Sequence, residues 1–245
     1  MQIAAPTVGW YGKTPSMGDF ISRRLSRAII DKLDGWLQAG MTAIREDAPD
    51  GWQQHYGAAP VWCAVLPAGI IAANACVATI APSFDRVGRR FPFCVIVALP
   101  ARGVVLDEFK SLPDYCERLS KLVGVSIRNS IDVDELDRQL DSLTSQCVRD
   151  EASVTAELSD IAAVLGDAAL DGGLTTVPLT ARSVFPWPDL TRMFAPDGAT
   201  SYWWGNAEPG RVQCGFTHEG ALDAKLFATL FGAPDITSEH DRPPG

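Results

Sequence analysis

Histidine is scarce in this 245-residue chain: His55, His218 and His240 are its only three. They have no metal-ligand spacing. Six cysteines occur, at Cys63, Cys76, Cys94, Cys116, Cys147 and Cys214, but no C-x-x-C pair. Neither a zinc site nor a disulfide framework is expected, and reduced, buried thiols in a reducing compartment explain the pattern. There is no G-x-S-x-G elbow, no glycine-rich phosphate loop and no H-E-x-x-H helix. A Ser/His/Asp set could be assembled from the many candidates, yet nothing selects one. The expectation is a protein without catalytic residues, metal or cofactor. Nucleic-acid binding is likewise not expected, because basic residues interleaved with aromatics on one face are missing.

Charge of one sign is also short. The formal net charge is −9, unevenly spread. Residues 1–100 hold nine Lys/Arg against seven Asp/Glu, whereas the remaining 145 hold twelve against twenty-three. Such a chain is repelled by phosphate backbones and anionic lipid unless cations concentrate locally. The opening MQIAAPTVGWYGK lacks the charged-then-apolar layout of a secretory leader, so a cytoplasmic protein is expected. Residues 61–81 are uncharged and long enough to span a bilayer, but Pro67-Ala68-Gly69 interrupts them. Two buried strands joined by a turn fit better, and no membrane insertion is expected.

What is present is ordinary globular material: 47% hydrophobic residues, with seven Trp and ten Phe. Residues 7–13 read as a strand. Ser16-x-x-Asp19 then resembles a helix capping box, and Ile21, Leu25, Ile29, Leu33, Trp36 and Leu37 recur at helical spacing. Helix is expected to resume over 40–47 and around Trp52. Three apolar runs at 61–66, 70–80 and 91–99 have connections too short for crossover helices, which predicts an antiparallel meander covered on both faces. Amphipathic helices are expected over 106–123 and 133–143, and a weaker one over 154–165. Residues 166–200 read as irregular, 201–204 and 211–216 as a hairpin around Gly205-Asn206, and 221–231 as a final helix. One domain over 1–232 with a flexible tail over 233–245 follows, since the last strand pair needs the earlier sheet for support.

Three stretches bear polar or aromatic residues that could act. At the first, Lys13, Ser16, Asp19, Arg23 and Arg24 are either a helix cap with its surroundings or an exposed contact surface. In the second, Asp85, Arg86, Arg89 and Arg90 could grip a phosphate or carboxylate through bidentate hydrogen bonds; alternatively Asp85 and one Arg are tied into an ion-pair network holding the hairpin. In the third, Trp203 and Trp204 should point to opposite faces of a strand, one in the core and the other packed under a helix or exposed as a binding anchor.

These stretches resemble a known family. Val8-Gly9-Trp10-Tyr11-Gly12-Lys13-Thr14-Pro15-Ser16-Met17-Gly18-Asp19-Phe20, continuing to Ser22-Arg23-Arg24-Leu25, looks like the opening signature of the TagF family, also called ImpM. Pro82-Ser83-Phe84-Asp85-Arg86-Val87-Gly88-Arg89-Arg90-Phe91-Pro92 is similar to its second signature, and Ser201-Tyr202-Trp203-Trp204 to its third. The resemblance implies a three-layer α/β/α sandwich around a mostly antiparallel sheet, in agreement with the reading above. It also implies a cytosolic accessory regulator of a bacterial type VI secretion system, acting by post-translational repression, in some cases through a forkhead-associated scaffold protein. Some relatives carry a fused phosphatase domain for which this chain has no room, so action by binding alone is expected.

The leading expectation is that Asp19, Arg23, Arg24, Asp85, Arg86 and Arg89 converge on one docking face. A second is an anion or phosphorylated-ligand sensor, or an undiscovered hydrolase, using Arg86, Arg89 and Arg90, with a pocket joining Asp19, Asp85 and Arg86. A third is an architectural subunit whose interface is Trp203, Trp204 and the 61–99 region.

Overall fold

The structure is a computed structural model that describes residues 7–99, 112–145, 185–206 and 214–233. Seven strands form its sheet: β1 (Val8–Gly12), β2 (Ile21–Arg23), β3 (Val61–Leu66), β4 (Cys76–Ala81), β5 (Phe93–Ala98), β6 (Thr200–Asn206) and β7 (Gly215–Glu219). Their order across the sheet is β2-β1-β5-β4-β3-β6-β7, and every pairing is antiparallel.

Strand side chains alternate between two cores. Trp10, Cys63, Val65, Val77, Phe93, Val95 and Trp204 point to one face. It is covered by α3 (Leu112–Arg128), by the helical residues 133–145 (α4) and by the segment carrying α5 (Leu190–Met193). Tyr11, Trp62, Ala64, Ile80, Cys94, Ile96 and Trp203 point to the other face, under α1 (Arg27–Asp47), α2 (Trp52–Ala58) and α6 (Ala224–Phe231). The three middle strands read as unbroken apolar runs because both of their faces are buried. The expected three-layer α/β/α sandwich is what the chain forms. No described helix is long and apolar enough to cross a membrane, and residues 61–81 supply β3, a turn region and β4.

Three expectations are corrected. Ser16 and Asp19 do not cap a helix. Residues 21–23 pair instead with β1, in the register Trp10↔Arg23 and Gly12↔Ile21, and α1 begins after Ser26, whose side chain accepts from the Ile29 N–H. The apolar spacing of Ile21 and Leu25 mimics a helix because the two residues serve opposite cores. The strands β3, β4 and β5 of the 61–99 region offer no face to a larger assembly, since the chain's own helices cover them. The hairpin of β6 and β7 forms as expected, but Gly205 and Asn206 lie within β6 and not in the turn. The possible helix over 154–165 and the tail over 234–245 lie outside the described residues.

Candidate functional site

The first two motifs meet in space. Beyond Gly12 the chain leaves the sheet and runs along the outside of the loop 84–91, which links β4 to β5. That loop is a tight turn in which the Gly88 N–H donates to the Asp85 carbonyl at 2.8 Å. Gly88 has φ +87°, a conformation that favours glycine.

Asp85 is the clasp. Its side chain is fully buried, and four donors fill its carboxylate. Lys13 Nζ approaches Oδ2 at 2.9 Å and Arg89 Nε approaches it at 2.7 Å. The backbone N–H groups of Val87 and Arg89 reach Oδ1 at 3.1 and 2.9 Å. Burial alone would raise this carboxyl, but the bonds from Lys13 and Arg89 hold it well below the usual carboxylate range. Around the clasp, Ser83 Oγ donates to the Lys13 carbonyl at 2.7 Å, and the Tyr56 hydroxyl both donates to and accepts from the Ser83 backbone. The Arg86 N–H donates to the Met17 carbonyl at 2.8 Å, and Arg89 Nη2 to the Gly18 carbonyl at 2.7 Å. Segments far apart in sequence are thus one surface.

The sequence candidates distribute unevenly over it. Asp19, Arg86 and Arg89 are exposed there, Ser16 and Arg90 are half-buried, and Lys13 and Asp85 lie beneath. At this loop Asp85 and Arg89 are tied into an ion-pair network with Lys13, and a pocket joining Asp19, Asp85 and Arg86 does not form because Asp85 is sealed. Arg23 and Arg24 belong elsewhere. Arg24 forms a fork with Asp137 at 2.9 and 2.7 Å and reaches Asp141 at 3.0 Å, while Arg23 meets Asp134 at 3.1 Å. Both therefore fasten β2 to α4 on the opposite layer. Asp137 feels burial, which would raise it, yet its hydrogen bonds from Arg24 and Trp10 lower it. The single six-residue docking face splits in two.

Trp203 is also corrected. It is wholly buried, its indole N–H donates to Ser201 Oγ at 2.8 Å, and its ring stacks with Phe216. It does point away from Trp204, as strand geometry requires, but both indoles are core.

What the charged residues alone did not reveal is apolar. Among the described residues the exposed large hydrophobic side chains are Met17, Phe20, Phe84, Val87 and Met193. Four of these five lie on the two joined segments, and Val87, at 70% exposure, is the most open. Apolar residues inside a polar loop, outside any helical or strand period, were the available signal.

A family model described as TagF N-terminal domain, Type VI secretion system-associated, matches residues 9–143. No curated protein matches the chain. Among solved structures it is similar to the crystal structure of PA0076 from Pseudomonas aeruginosa PAO1. The identity is 23%, with 98% of this chain and 99% of that chain covered and a TM-score of 0.65. At that identity the likeness shows a shared fold.

Proposed function

The chain belongs to the TagF family of type VI secretion system-associated proteins, and from that premise we propose that it is a non-enzymatic accessory regulator that represses secretion post-translationally by holding a protein partner. The forkhead-associated scaffold protein of the same system is the partner proposed. The observation that carries this reading is the patch of Met17, Phe20, Phe84 and Val87, ringed by Asp19, Arg86 and Arg89. Exposed apolar side chains concentrated on one rigid surface and rimmed by charge are the composition of an interface. A modest interface suits reversible capture, which a repressor needs if secretion is to be switched on again.

The test is co-purification of the full chain with the scaffold protein, comparing the wild type with a Phe84→Ser/Val87→Asp variant and with Arg86→Glu. None of these side chains is buried, so thermal stability should hold. Affinity should fall by at least about 2 kcal/mol, roughly thirtyfold in Kd, if these are central contacts. Arg89 is a poor choice for such a test because it closes the Asp85 clasp. Undiminished capture by the folded double variant would remove this surface from the interface.

A further inference from the structure

Beside the patch, between the second half of α1, the start of α2 and the loop 84–91, lies an open cleft of about 600 Å³. That volume is within the range of small-ligand sites. Four cations line it: Lys13, Arg45, Arg89 and Arg90. No carboxylate does. Lys13 and Arg89 share the single buried charge of Asp85 behind the wall. Among the described residues, Arg45 and Arg90 have no carboxylate in ion-pair range. Four positive charges thus face one negative charge, on a chain whose formal net charge is −9.

Three of the four cations have a further contact that places them. The Arg45 guanidinium lies 4.8 Å over the Trp52 ring, and Lys13 Nζ lies 4.8 Å over the Phe20 ring. Arg90 packs against α2 at Gly57, where an added Cβ would lie 3.3 Å from its Nη1. Arg45 and Arg90 line the same cleft, one from α1 and the other from the loop. Gln38 and Gln53 add side-chain amides to the rim. Such concentrated, unneutralised positive charge on an acidic protein is costly unless an anion offsets it. Two guanidinium forks, one of them over the Trp52 ring, match the oxygens of phosphate groups better than a lone carboxylate.

We propose that this cleft is a binding site for a phosphate-bearing small ligand of nucleotide size, held chiefly by Arg45 and Arg90. The site is independent of the partner's identity, and its test does not involve a partner. The full chain is titrated with ATP, tripolyphosphate and adenosine, at ionic strength matched with NaCl, and followed by thermal shift and calorimetry. ATP and tripolyphosphate are expected to raise Tm by roughly 5–10 °C at a hundredfold excess over Kd, and adenosine is not. A stronger effect of ATP than of tripolyphosphate identifies a nucleotide; equal effects identify a polyphosphate. Arg45→Gln/Arg90→Gln should weaken binding at least tenfold without lowering the unliganded Tm, while Arg23→Gln, on the opposite layer, leaves binding intact. The site is overturned if no phosphate compound shifts Tm, if adenosine matches ATP, or if the double variant binds as the wild type does.

Discussion

Asp85 carries more of the local structure than any other charged residue of the motifs. The carboxylate is sealed, but the shell over it is one side chain thick, since the side chain of Arg89 is 61% exposed. Replacing it by Asn keeps the shape and leaves Lys13 buried without its counter-charge. Breaking a buried pair costs about 3–5 kcal/mol, and the thin shell places this one near the lower end, about 3 kcal/mol. The sign of the pH dependence follows from the depressed carboxyl. Its stabilisation is fully present above the unfolded value of about 3.9 and is lost as pH falls toward the lower folded value. Urea denaturation of the wild type and Asp85→Asn should therefore show a constant gap from pH 7 to pH 5 that narrows below about pH 4. A gap that instead widened on acidification would mean that Asp85 is not the charged centre of the clasp. The i,i+4 spacing of Asp85 and Arg89 was visible in the sequence, which is why an ion-pair network could be posed there as an alternative. Lys13 was read as a candidate of the first motif but not as a partner of Asp85, because its approach to Asp85 depends on β1 lying beside β5. Arg45 and Trp52 carried no signal at all: only the packing of α1 and α2 against the loop brings them to the cleft.

At the scale of elements, the crossing of α1 and α6 turns on Gly40. A Cβ added there would lie 2.1 Å from the Phe227 ring, inside any tolerable contact. In an open helix, Gly→Ala stabilises by about 1 kcal/mol. Here the sign should reverse, with overpacking costing about 1–3 kcal/mol net as α6 is pushed off its neighbour. Circular dichroism during thermal unfolding of Gly40→Ala would check it, and a raised Tm would show that α6 yields freely. The elements themselves were legible wherever period and burial agreed. Unbroken apolar runs marked β3 and β5 because helices cover both faces, and Val133, Leu136 and Leu140 marked α4 because they face one core. β2 was not legible. A three-residue strand has too few positions to show a period of two, and its apolar residue fell in step with the helix that follows.

For the molecule as a whole, the strand order places β4 at the centre and β2 and β7 at the edges. Stability should follow that order. Backbone amides of β3, β4 and β5 are expected to exchange with solvent only through global opening, whereas those of β2 and β7 exchange by local fraying. Native-state hydrogen exchange resolved by peptide mass spectrometry tests this, and equal protection of β7 and β4 would contradict it. Overall architecture was the most legible level, since connection lengths and run polarity leave few ways to bury so much apolar strand. Which loops would gather on one end was the least legible, being a consequence of register.

Lys13 and Asp85 stand 72 positions apart in the polypeptide. No peptide excised from either motif can display the combined surface, and a copy still emerging from the ribosome has nothing to offer until both stretches are made and the sheet between them has closed. Any molecule that grips this region therefore counts finished copies only, and by gripping them it slows their loss to heat or proteolysis in proportion to its own abundance. Supply of the one and survival of the other become linked through the joining of these two segments.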